Sequence, residues 1–147
     1  MIRHQPRRLH VTRLLLSSLL VAFGIAKAAG AEKPFDGTKP ILCASSNAYD
    51  CSGDKNCVEA TPEGLSVPDL LRVDPGAKAI SALDVDQRDR SSPIESVQEV
   101  EGKLVLSGND DKGRGWTLAI QQDTGDSVLS VSDATTGLIV YGECTEF

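Results

Sequence analysis

Histidine is scarce in this 147-residue chain, and its placement makes the scarcity complete. His4, His10 and the single Met all lie in the first ten residues, within a stretch that reads as a leader. Residues 2–13 carry Arg3, Arg7, Arg8 and Arg13 with no acid. Residues 14–26 are apolar apart from two Ser and a Gly, and Ala29-Gly30-Ala31 supplies an A-x-A site. A basic start, a short apolar run and a small-residue cleavage site make a secretory signal peptide over 1–31, too short to span a bilayer. Beyond it the sequence holds no His. That excludes a Ser-His-Asp or Cys-His nucleophile system and an imidazole metal site.

Positive charge is the second shortage. The whole chain carries 15 Lys plus Arg against 21 Asp plus Glu, a net charge of −6. Five of those basic residues and none of the acids belong to the leader, so the remaining 116 residues carry ten against 21, or −11. Such a balance argues against nucleic acid, whose affinity comes mainly from Lys and Arg on phosphate, and against anionic lipid. A second apolar stretch of membrane length is also missing, as is a Cys close enough to the apolar run for lipid attachment. After Arg7-Arg8, Leu9-His10-Val11 lacks the aromatic-plus-leucine pattern of a twin-arginine leader, which points to general secretion. The expectation is a bacterial periplasmic or secreted protein with no stable membrane association.

What the sequence does contain is four Cys: Cys43, Cys51, Cys57 and Cys144. An even number in an exported chain implies two disulfides, and the C-x7-C-x5-C spacing fits no zinc site. Four Cys allow three pairings; Cys51–Cys57 with Cys43–Cys144 is favoured. The long bridge would tie the first strand to the last, for about 4.7 kcal/mol on the chain-entropy model, and the short one about half that.

Residues 32–40 are polar and read as a flexible lead-in, leaving 41–147 as a single β domain. Residues 41–44 make a first strand, and Gly53-Asp54 suits a turn that would set Cys51 opposite Cys57. From residue 70 the period is two. Runs at 70–73, 79–85, 94–100, 103–107, 116–121, 128–131 and 138–142 are separated by turn signals at intervals of about a dozen residues. Glu101-Gly102 is the best hairpin, and Trp116, Leu118 and Ile120 alternate with polar or small neighbours. No segment has convincing helical spacing. The fold class is therefore all-β, a small disulfide-stapled antiparallel meander curled into a barrel or half-barrel, with a β-sandwich as the alternative.

Four features could carry chemistry. Asp123-Thr124-Gly125 matches the aspartic-protease tripeptide, which works when two such Asp share a proton across a dimer axis. A hairpin loop between alternating strands accounts for the same three residues without catalysis. Asp84, Asp86 and Asp89, and separately Asn109-Asp110-Asp111, could offer oxygen to Ca²⁺, but Arg88 stands where a ligand belongs and no Gly follows. They read as solvated turn carboxylates, with Arg88 and Arg90 as surface ion-pair partners. Lys112-Gly113-Arg114-Gly115 could bind an anion through exposed amides, or simply connect two strands. Trp116, the only Trp, reads as a core anchor rather than a ligand platform, and Tyr141 likewise. No catalytic, cofactor-binding or metal-binding residue is assigned.

Cys43-Ala44, Cys51…Gly53…Cys57, the run from Val67-Pro68-Asp69 to Asp74, GRGWTL from Gly113, Asp123-Thr124-Gly125 and Tyr141-Gly142-Glu143-Cys144-Thr145 together resemble a family of small exported proteobacterial proteins with a C-terminal [FY]-G-x-C-T motif. In that family the Tyr141 position is more often Phe and the Glu143 position often small. The resemblance implies an exported, disulfide-containing β protein with no assigned activity, and it carries no catalytic residues over. The expected function is non-enzymatic binding of a macromolecular partner, with a basic protein favoured by charge, as in an inhibitor of a cationic hydrolase. A carrier of a small apolar ligand is the alternative; a filled interior without a cavity would rule it out. The DTG-type aspartic protease is the third.

Overall fold

Alternation at period two gives each strand one face for a core and one for water, and here it builds a single antiparallel sheet. The computed structural model describes residues 33–53, 56–84, 86 and 90–147. The expected signal peptide, Asp54, Arg88 and Asp89 lie outside the described residues. The strands are β1 (Ile41–Asp50), β2 (Val58–Ala60), β3 (Leu70–Asp74), β4 (Ala79–Ala82), β5 (Ser91–Pro93), β6 (Ser96–Val100), β7 (Lys103–Asn109), β8 (Gly115–Gln121), β9 (Asp126–Ser132) and β10 (Gly137–Glu146). A 3-10 turn at Glu63–Leu65 is the one helical element among the described residues.

The sheet order is β5-β4-β3-β1-β10-β9-β8-β7-β6, with β2 on the far half of β1. This is chain order curled into a half-barrel, as expected, with the last strand returning to the first. Its ends meet through one bent segment, 91–100, whose first half pairs with β4 and whose second half pairs with β7. The run 94–100, expected as one strand, is therefore broken at its start. Ile94 is buried at the corner; its N–H donates to the Lys78 carbonyl at 2.9 Å, and the Glu95 N–H donates to Ser107 at 2.8 Å. Gly108 makes this corner possible. A Cβ there would overlap the Pro93 carbonyl oxygen and meet the Trp116 ring at 2.8 Å.

Other local expectations hold. Glu101 (φ 48°) and Gly102 (φ 78°) both take left-handed backbone between β6 and β7, as a two-residue type I′ hairpin requires. Cys43 lies opposite Cys144 in the β1–β10 register and bonds to it, joining residues 101 apart. Cys51 bonds to Cys57 across the short β1–β2 connection. Both disulfides fit an oxidising compartment. Among the described residues no helix is long and apolar enough to cross a membrane.

Leu104, Leu106, Leu118 and Ile120 are at most 2% exposed and fill the middle of the half-barrel. One end is plugged by residues 33–40, the expected flexible lead-in, which contribute a core residue. Phe35 is buried in the main cluster. Its N–H donates to Glu146 at 2.9 Å and its carbonyl accepts from the buried Gln122 amide at 3.1 Å. Lys33 and Lys39 add ion pairs to Glu99 (2.6 Å) and Glu146 (3.3 Å). The polarity of this segment hid its role, because one aromatic residue among charges carries no periodicity.

Candidate functional site: a cleft at the open end of the half-barrel

The opposite end is crossed by residues 62–69. Pro62 starts the 3-10 turn, Ser66 takes left-handed backbone (φ 56°), and the Val67 N–H closes back on the Pro62 carbonyl at 2.8 Å. Val67 packs with Ala48, Leu138 and Val140 in a second, smaller apolar cluster. Ser45 fastens the crossing: its hydroxyl donates to Pro68 at 2.9 Å and its N–H to Asp69 at 2.8 Å. Asp84 fixes the start of β3, accepting the Asp69 and Leu70 N–H groups at 2.8 and 3.2 Å.

Between this crossing and the barrel wall lies a cleft of about 280 Å³. Leu71, Ile80, Trp116, Leu129, Val131 and Leu138 form its apolar surface, and Ser66, Ser81, Ser91 and Ser92 also line it, Ser92 sharing the face of Ile80 in the β4–β5 register. Its volume approaches the lower end of small-molecule pockets, and equals the liquid volume of roughly nine waters. A single ring or short acyl chain matches that size; a folded loop does not. Leu104, Leu106, Leu118 and Ile120 fill the interior, but the cleft lies beside them, against Trp116.

Trp116 is 5% exposed, so it is a core residue as expected. It is also a wall of the cleft. Its indole Nε1 is the one buried side-chain donor or acceptor among the described residues that has no hydrogen-bond partner. An unsatisfied buried donor costs about 1–3 kcal/mol, so native folds keep few.

The β7–β8 loop brings the charge. Asp110 organises it by accepting the Lys112 and Arg114 N–H groups at 2.9 Å and the Arg114 side chain at 2.7 Å through Nε and 2.6 Å through Nη2. Burial pushes the Asp110 carboxyl up, but those N–H groups and the Arg114 guanidinium outweigh it and hold it below the ordinary range. The Lys112–Arg114 loop is thus not a loose connection. It is a clamp that sets Arg114 on the rim of the cleft. Arg90 lines the cleft too and donates to the Ser66 carbonyl, tying the crossing segment to the wall. Asp111 is exposed at the edge.

The remaining candidates do not converge on the cleft. Asp123 and Thr124 are exposed in the β8–β9 loop, where the Thr124 hydroxyl donates to Asp126 at 2.7 Å. Gly125 (φ 83°) packs so tightly that a Cβ would overlap the Cys144 carbonyl. Hairpin geometry accounts for all three residues. Among the described residues no cluster of three or more His, Cys, Asp or Glu is arranged to hold a metal. The convex face carries a row made of Ala119, Val128 and Tyr141 on neighbouring strands. Val128 and Tyr141 are 37% and 45% exposed, and Tyr141 meets Tyr49 edge to face at 6.0 Å. Asp126 and Glu143 flank that row.

Sequence reasoning treated Trp116 and Arg114 separately and assigned no role to the serines of 91–92. The bend at Ile94 brings them together, and no periodicity marks that bend. No protein-family model matches the chain, and no curated protein or solved structure is similar to it.

Proposed function

We propose that this protein is an exported, non-enzymatic binding domain that holds one small, largely apolar molecule in the cleft beside Trp116. The observation that carries the reading is the coincidence of an unfilled cleft, one wall of it apolar, with a buried, unpartnered donor at one end of an otherwise filled half-barrel. Because Trp116 is the only Trp, its fluorescence reports the cleft directly. Titrating the oxidised protein with cyclohexanol, 1-octanol and octanamide is expected to give a saturable change in Trp116 emission with at least one of them. Linear, non-saturating responses to all three would overturn the reading.

A second reading, docking of a basic macromolecule, is favoured by the exposed row at Val128 and Tyr141 between Asp126 and Glu143. Capture by a panel of cationic hydrolases would then weaken steeply with salt and be lost on Tyr141→Ser. Salt-insensitive capture, or capture unchanged by that substitution, would count against it.

A further inference from the structure

We infer that the cleft selects a small carboxylate: an apolar body against Trp116 with its anionic head on Arg114. This rests on the cleft being a binding site, and it adds the chemical class of the occupant.

The case begins with how few cations the described residues have and how they are spent. Lys33, Lys39 and Arg72 pair with carboxylates on the outside of the domain. Arg114 is different: its side chain is 18% exposed, and it lines an apolar cleft. Asp110 takes its Nε and Nη2 on one carboxylate oxygen. That leaves Nη1 and the second Nη2 hydrogen uncommitted to Asp110, which is the edge a carboxylate engages.

Two acids share the rim, and their different settings decide the sign. Asp110 already accepts two backbone N–H groups as well as Arg114; a cationic ligand head would have to displace those contacts. Asp111 stands in water, where its charge is screened. Ser92, opposite Ile80 in the β4–β5 register, lies on the cleft face, where its hydroxyl can donate to a carboxylate oxygen. An amine head would be desolvated beside the Arg114 guanidinium. A neutral head would keep the apolar contacts and lose only the charge-assisted bond.

The test compares octanoate, octanamide and octylamine by Trp116 fluorescence at low ionic strength, cross-checked by calorimetry. Octanoate is expected to bind about tenfold more tightly than octanamide, the lower end for a charge-assisted bond because Asp110 already draws on Arg114. Octylamine should bind weakest. Arg114→Gln should bring octanoate down to the octanamide affinity while leaving octanamide within about twofold. Should that variant loosen the loop, Asp110→Asn with Arg114→Gln removes both charges and is expected to give the same result. Asp111→Asn should tighten octanoate slightly. Octanamide binding as well as octanoate, or octanoate binding unaffected in both Arg114 variants, overturns the carboxylate inference and leaves the cleft reading intact. Failure of all three ligands to bind overturns the cleft reading itself.

Discussion

The two ends of the half-barrel are built from the same strands and finished in opposite ways. At the Phe35 end, backbone and side-chain polar groups find partners. Gln122 donates to Phe35 and Phe35 to Glu146, while the Cys144 N–H reaches Gly125 at 2.8 Å and Phe147 reaches Pro40 at 2.9 Å. At the Trp116 end a segment crosses without filling the space beneath it, and an indole N–H is left without a partner. A small core has little stability to give away. Satisfaction at one end and incompleteness at the other therefore separate what holds this fold together from what it is available to bind.

The largest expected effect tests the first half of that contrast. Replacing Cys43 and Cys144 by Ala should cost about 4–5 kcal/mol by chemical denaturation, because the bridge closes a loop of about 100 residues. The same change at Cys51 and Cys57 should cost about half as much, since the loop is short. Equal losses would mean that the staple's position, not its loop length, governs stability.

Phe35→Ala comes next. Removing the plug should lower stability by about 3 kcal/mol while leaving the ligand response of Trp116 unchanged in shape. A changed ligand affinity would show that the two ends are coupled. Trp116→Phe probes the other end, and should cost less than about 1 kcal/mol. The smaller ring gives up some packing beside the cleft, but the penalty of an unsatisfied donor disappears with the nitrogen and offsets part of that loss. A loss as large as that of Phe35→Ala would show that the indole N–H has a partner in solution.

The smallest effect concerns acid. The Asp110 carboxyl titrates below the ordinary Asp value of 3.8 in the folded protein, since its N–H donors and Arg114 outweigh burial. Its contribution is therefore present above that value and is lost as pH falls through the lower, folded one. Trp116 emission should hold steady down to about pH 4 and change below it, and Asp110→Asn should remove that step. A transition near neutral pH would assign it to another group.

The meander was legible because period-two alternation and turn chemistry act over a few residues: Glu101-Gly102 closes its hairpin as its residue types demand. The pairing of Cys43 with Cys144 was legible for a related reason, since a closed meander brings its first and last strands together. Residues 33–40 were misread because Phe35 is an isolated aromatic in a polar run, and only a barrel end gives it somewhere to go. The run 94–100 was read without its bend, which depends on Gly108 accepting the Pro93 carbonyl from a strand outside its own hairpin. Arg114 and Trp116 were read as loop charge and core anchor. Their placement on one cleft needs the crossing segment 62–69, whose turn is too short to show periodicity.

By itself the sequence determined an acidic, His-poor composition, an all-β alternation, two hairpins and a workable disulfide pairing, because those follow from composition and neighbouring residues. Tertiary structure alone decided that one end would be plugged and the other left hollow. Which apolar residues meet across a curled sheet depends on its curvature and shear, and those are set by long-range contacts that no local pattern encodes.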